Sequence, residues 1–221
     1  MKRSITHVYF LLGLALLGLL LGGCSEPPQT PKSKAVYMLL DTSGTYTEEL
    51  AKAQKIINYL LMRLDSGDSI AVARIDSGSF SEKDIVAKVT FDTRPSTVNE
   101  QKRAFKRKMD DFIEHAKGSA HTDISGGILQ AGEYLTETGA DERYALIFSD
   151  LEEDLDRGQV RNFQIPLVDI KVVALNVTKL RSDNIDPRDY LQRLATWEQR
   201  VQQGGGSWQV VNDLERLDSL L

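Results

Sequence analysis

The 221-residue chain holds one cysteine, Cys24, so no intrachain disulfide can form. Its three histidines form no evident pair with a nucleophile. His7 lies beside the apolar N-terminal run, His115 on an expected helix surface, and His121 in a loop without a partner at metal-ligand spacing. Basic residues do not dominate: the formal net charge is −5, which argues against nucleic acid as a partner. No internal repeat is visible. The apolar run Val8 to Leu20 is short for a bilayer span. What remains is ordinary: 41% apolar and 27% charged residues, in a length that allows one domain of good core size.

The first residues read as a leader rather than as part of the fold. Lys2 and Arg3 precede the apolar run, and Leu21-Gly22-Gly23-Cys24 supplies a small-residue cleavage site, so residues 1–23 read as a secretory signal. Leu-Gly-Gly-Cys resembles the lipobox of bacterial lipoproteins. That resemblance implies cleavage before Cys24, a lipid on Cys24, and a membrane held through that lipid. Ser25 follows the cysteine, and in that family it favours a cell-envelope address at the outer membrane, facing the periplasm. Residues 24–34 then form a lipidated, proline-rich tether, and a ten-residue extended stretch reaches roughly 30 Å at about 3 Å per residue. Residues 35–221 are left as the folded domain.

That domain is organised around residues 35–50. The apolar run Val36 to Leu40 does not alternate, so it reads as a strand buried on both faces. It stops at Asp41, and the polar cluster Asp41-Thr42-Ser43-Gly44-Thr45 falls at the carboxyl edge of a sheet, where open α/β folds place ligands. Asp41, Ser43 and Thr45 alternate, which aims three hard oxygens at one point, as a small divalent cation needs. A second reading stays open at this stage: Thr45-Tyr46-Thr47-Glu48 also fits a capping box for the helix that follows.

Further along, Leu50, Ala53, Ile57, Leu60, Leu61 and Leu64 recur at helical spacing. Ile70 to Ile75 reads as a second buried strand, and Ile85 to Phe91 alternates like an edge strand. Residues 98–117 read as a helix whose outer face carries Lys102, Arg103, Lys106, Arg107 and Lys108. Asp110, Asp111 and Glu114 balance that run, so a solvated face with Lys106–Asp110 and Arg107–Asp111 pairs accounts for it. A loop and a helix over 123–137 follow, then strands at Tyr144 to Phe148 and Ile170 to Val177. Asp186-Pro187 caps and opens a helix. Gly204-Gly205-Gly206 ends it, Ser207 to Val211 is a last strand, and Asn212 is placed to cap a terminal helix. Strands alternating with helices predict an α/β fold: a doubly wound, mostly parallel sheet of about six strands with helices on both faces.

The strand ending at Phe148 repeats the logic of the first, because Ser149-Asp150 stands at its carboxyl end. Asp41-Thr-Ser43-Gly-Thr45, a loop Thr122 before a helix, and Asp150 at another strand end resemble the von Willebrand factor type A domain. Its metal-ion-dependent adhesion site follows Asp-x-Ser-x-Ser, then Thr, then Asp. The resemblance covers residues 35 to about 215. It implies that Asp41, Ser43, Thr45, Thr122 and Asp150 hold Mg²⁺, with Thr45 standing where serine is usual. It further implies that the ion takes an acidic side chain from a protein ligand and catalyses nothing.

Three rivals are weaker. Asp-Thr-Ser-Gly also resembles the aspartic-protease signature, but those enzymes are all-β and a helix follows here. Haloacid-dehalogenase phosphatases need an aspartate where Ser43 stands. The acid-rich Asp150 to Gly158 lacks the sixth-position glycine and closing glutamate of an EF-hand, and reads as a solvated loop. A type A fold binding without metal, as an interaction or structural module, is the main alternative.

The leader pattern makes a direct prediction. Cys24→Ser is expected to abolish lipid incorporation and to leave the precursor unprocessed or the protein released. Radiolabelled-palmitate incorporation with membrane fractionation measures it, and a wild-type protein found wholly in the soluble fraction contradicts the lipoprotein reading.

Overall fold

The computed structural model describes residues 32–44, 46–213, 217, 220 and 221. Cys24 and the expected leader lie outside these residues. The apolar run that opens the domain becomes strand β1 (Lys34–Asp41), and every residue from Ala35 to Asp41 is buried. Helix α1 (Leu50–Arg63), β2 (Ser69–Ile75), β3 (Ile85–Thr90), α2 (Pro95–His115) and α3 (Ile124–Glu137) follow. Strands β4 (Glu142–Phe148) and β5 (Ile170–Leu175), helix α4 (Pro187–Gln203) and β6 (Ser207–Val211) complete the described elements. No described helix is long and apolar enough to cross a membrane.

The sheet order is β3-β2-β1-β4-β5-β6, parallel throughout except for the antiparallel edge pair β2–β3. β1 therefore pairs with β2 on one side and with β4 on the other, and winding reverses between β1 and β4. Chain leaving the carboxyl ends of these two strands diverges to opposite faces, which opens a crevice there.

Alternation along β1 feeds two cores. Val36, Met38 and Leu40 face Leu50 and Ile57 of α1 and Phe105 and Met109 of α2. Ala35, Tyr37 and Leu39 face Ile124 and Ile128 of α3 and Trp197 and Val201 of α4. Helices thus cover both faces, as the strand–helix alternation predicts, and no strand of the sheet centre meets solvent.

Several boundaries differ from the sequence expectation for identifiable reasons. α2 starts at Pro95 rather than 98, because proline is preorganised for a first helical position and lacks an amide to satisfy. β5 stops at Leu175, because Asn176 turns into the left-handed region at φ 52°. The capping box does not open α1. A 3₁₀ turn over Thr47–Glu49 comes first and the α-helix begins at Leu50, while Thr45 itself lies outside the described residues. The Asn212 side chain accepts the Val177 amide at 2.7 Å; much of the terminal helix it is expected to cap lies outside the described residues. On α2, Lys106 pairs with Asp110 at 2.6 Å as expected, whereas Asp111 faces His115 at 3.5 Å.

α3 packs so closely that Gly132 has no room for a side chain. A Cβ there would come within 2.9 Å of the Pro166 carbonyl oxygen. Alanine gains about 1 kcal/mol over glycine in a helix interior, but overpacking against backbone costs about 1–3 kcal/mol. Gly132→Ala is therefore expected to lower stability by up to about 2 kcal/mol, read by urea denaturation; a stabilised variant would show that the helix can move away.

Candidate functional site

Asp41 ends β1 with 1% exposure. Its Oδ1 accepts the Ser43 amide at 2.8 Å, and its Oδ2 accepts the Ser149 hydroxyl at 2.6 Å. Ser149 is the first residue beyond β4, so one side-chain bond joins the two central strands where they part. The same hydroxyl oxygen accepts the Leu151 amide at 2.9 Å. Asp150 sits between these anchors, buried, with Oδ1 accepting the Glu152 amide at 2.9 Å.

The turn after Asp150 is strained and firmly held. Leu151 adopts φ 66°, a region that costs a side-chain-bearing residue on the order of 1–3 kcal/mol. Its side chain is buried in the second core, and its carbonyl accepts the Trp197 indole N–H at 3.0 Å. The carbonyl of Asp150 accepts Arg193 Nε at 2.9 Å. Arg193, from α4, also pairs with the fully buried carboxylate of Asp183 at 2.8 Å. Packing and charge together over-determine the direction in which Asp150 points.

The third segment comes from the loop before α3. The Ser119 amide donates to the Thr42 carbonyl at 2.7 Å, and Ser43 and Ser119 form an isolated parallel bridge. Gly118 eases this approach, since a Cβ there would lie 3.3 Å from the Gly44 Cα. Thr122, also buried, is fixed by paired backbone bonds with Asp154 at 2.7 and 3.0 Å. Asp123 caps α3 through the Gly126 amide at 2.8 Å and pairs with Arg161 at 2.6 Å.

Asp41, Ser43, Thr122 and Asp150 therefore all belong to segments joined at the carboxyl edge of the sheet. Thr45, the fifth expected member, lies outside the described residues. Burial raises the carboxyl pKa of Asp41, against the bonds from Ser149 and Ser43. Burial also pushes Asp150 up to about 6; the Asp41 charge adds to this, and the Glu152 amide and Arg193 oppose it. Neither carboxylate is in an ion pair with a cationic side chain among the described residues. Asp150 opens onto a groove of about 720 Å³, walled by Tyr46, Glu48 and Glu49 on one side and by Lys179, Leu180 and Arg181 on the other.

No protein-family model matches this sequence, and no curated protein matches it. Solved structures do. The von Willebrand factor type A protein from Catenulispora acidiphila is similar with a TM-score of 0.54 at 14% identity, over 85% of this chain and 41% of that one. The fold is that of a von Willebrand factor type A domain. The minor pilin PilB from Streptococcus sanguinis matches with a TM-score of 0.53 at 11% identity, over 88% of this chain and 60% of that one. The pilus adhesin SpaC from Lactobacillus rhamnosus GG, in its open conformation, gives 0.53 at 10% identity, over 86% and 29%. The chain spans less than two thirds of each, and at these identities the likeness is one of fold.

Within this type A fold, some residues at the site gave no sequence signal. Ser149 bridges the strands, yet a serine before an aspartate is common. Arg193 and Asp183 lie ten residues apart in sequence, and only the packing of α4 brings them under Asp150. Tyr46 donates its hydroxyl to the Asn176 carbonyl at 2.6 Å and accepts the Asn176 side-chain amide at 2.9 Å, which ties the turn after β1 to the turn after β5. The acidic stretch after Asp150 is not all solvated. Glu153 accepts the Ser125 amide at 2.6 Å and hydroxyl at 2.9 Å, and so anchors the start of α3. His121 is a loop residue, as expected, but lies 3.0 Å from Asp154 and 3.5 Å from Asp156. The protease signature is here set on a parallel α/β sheet, not in the all-β fold it requires.

The raised pKa of Asp150 sets a pH dependence. The native state favours its protonated form, so metal-free stability falls as pH rises from about 4 through about 6 and then levels off. The loss is on the order of 1–3 kcal/mol. Asp150→Asn is expected to flatten that fall, read by urea denaturation in EDTA across the window; an unchanged slope would assign it to other groups.

Proposed function

We propose that this chain is a lipid-anchored, cell-envelope type A domain that holds a protein partner through a divalent cation, Mg²⁺, at the carboxyl ends of β1 and β4. The observation that carries the reading is the pair Asp41 and Asp150: two buried carboxylates at the switch point, each raised in pKa, with no cationic side chain among the described residues in an ion pair with either. Burial disfavours the charged form of both, the Asp41 charge adds to this at Asp150, and a cation beside them would relieve both.

The residues present fit such an ion. All donors are hard oxygens: the carboxylates of Asp41 and Asp150 and the hydroxyls of Ser43, Thr45 and Thr122, as Mg²⁺ prefers. Ser43 and Thr45 would bind it directly, while Asp41 and Asp150 would hold its waters. Bound there, Mg²⁺ supplies an electron-poor position for the carboxylate of another molecule. Asp41 is aimed by Ser43 and Ser149, and Asp150 by the strained turn and Arg193, so these two carboxylates are set before any ligand arrives. Binding without catalysis is the activity this reading assigns.

The metal-independent reading has one observation in its favour. Both oxygens of Asp41 already accept hydrogen bonds, from the Ser43 amide and the Ser149 hydroxyl, so its role in joining β1 to β4 stands without an ion. Lipid attachment at Cys24, with Ser25 behind it, supports a place on the outer membrane facing the periplasm.

Calorimetric Mg²⁺ titration of wild type and Asp150→Ala decides between the readings. The variant is expected to stay folded by circular dichroism, to take up no Mg²⁺, and to bind partner weakly with or without EDTA. Equal Mg²⁺ affinity in both proteins would remove Asp150 from the site, and no uptake in either would favour the metal-independent module.

A further inference from the structure

The groove beside Asp150 is unevenly charged. Its far wall is the segment after β5, where Lys179 and Arg181 are both exposed. Among the described residues neither is in an ion pair; the Lys179 ammonium lies 5.9 Å over the Tyr190 ring. The near wall carries Glu48, which is exposed, and Glu49, which is already engaged by Lys52 and by the Asn176 side chain. Two exposed cations, outside any ion pair among the described residues, thus overlook one side of the crevice.

That cationic wall is held in shape. The buried Asp183 accepts the Leu180 amide at 2.7 Å and pairs with Arg193, the same arginine that holds the Asp150 carbonyl. Tyr46 and Asn176 fix the base of the segment to the opposite wall. Lys179, Arg181 and Asp150 therefore keep one spatial relation, and a partner meets them without first ordering a loop, which lowers the cost of binding.

We infer that this groove selects an acidic segment of the partner protein, one carboxylate going to the cation site and a second, a few residues away, to Lys179 and Arg181. The inference rests on the metal reading above for the first carboxylate only. Lys179, Arg181 and Asp150 line the same groove, and extended chain advances about 3.3 Å per residue, so the second acidic side chain is assigned a place a few residues from the first. The exposed cations give selectivity rather than most of the affinity, because ion pairs in water are individually weak and screened by salt.

The test uses the full-length chain and two fluorescein-labelled peptides. One carries a single aspartate among glycine and serine; the other adds a glutamate two residues to either side. In Mg²⁺ at low salt the triacidic peptide is expected to bind about fivefold more tightly, a difference of about 1 kcal/mol at 298 K. Lys179→Glu/Arg181→Glu should erase or invert that preference while Mg²⁺ uptake is retained, and Lys179→Gln/Arg181→Gln should reduce it. Equal binding of the two peptides, a preference that survives charge reversal, or no peptide binding in any condition would overturn the inference. A preference that persists in EDTA and is lost on charge reversal would uphold the groove while removing the ion from the account.

Discussion

One hydrogen bond, from the Ser149 hydroxyl to the Asp41 carboxylate, joins the two strands between which the winding of the sheet reverses. Without it, the carboxyl ends of β1 and β4 would be tied only by ladder bonds that finish before the crevice begins. A charge-assisted bond in a buried setting is stronger than an ordinary one, and this one orients both partners at once. Asp41 points one oxygen back to its own turn and one across to β4. Ser149 holds Leu151, and Asp150 is carried between them. The site is thus a by-product of closing the sheet at its centre.

The strain at Leu151 makes sense in the same terms. A left-handed leucine is unfavourable by itself, and it persists because its side chain is locked in the core and its carbonyl is held by Trp197. Arg193 adds the electrostatic part. Its guanidinium spans the Asp150 carbonyl and the Asp183 carboxylate, so α4, the segment after β5 and the aspartate behave as one rigid piece. Rigidity at a binding site reduces the ordering cost of association. It also keeps Asp150 buried beside Asp41; burial, with a smaller contribution from the Asp41 charge, raises the protonation equilibrium of Asp150, and that is the chemical tension a cation would relieve.

The groove follows from topology. The segment after β5 lies across from the turn after β1 because their strands flank β4 on either side. Tyr46 and Asn176 set the separation of the two walls. Charge is then distributed by exposure: Glu49 is neutralised in place, whereas Lys179 and Arg181 project into water.

Much of this was legible in the chain by itself. The unbroken run Val36 to Leu40 could only be a doubly buried strand, and two such strands each delivering an aspartate at the carboxyl end implied one edge and one crevice. Periodicity placed the helices, and Asp123 and Asp186 announced two helix starts that the structure keeps. Such features are local: apolar spacing, turn chemistry and capping act within a few residues, so sequence determines them. The 3₁₀ turn ahead of α1 and the left-handed Asn176 that ends β5 carried no such signal, and the bond from the Val177 amide to Asn212 joins turns 35 residues apart. The bonds of Ser149 to Asp41 and of Tyr46 to Asn176 span 108 and 130 residues. Only tertiary structure could choose them, because a hydroxyl carries no sign of which carboxylate or carbonyl it will meet until packing brings the two within reach.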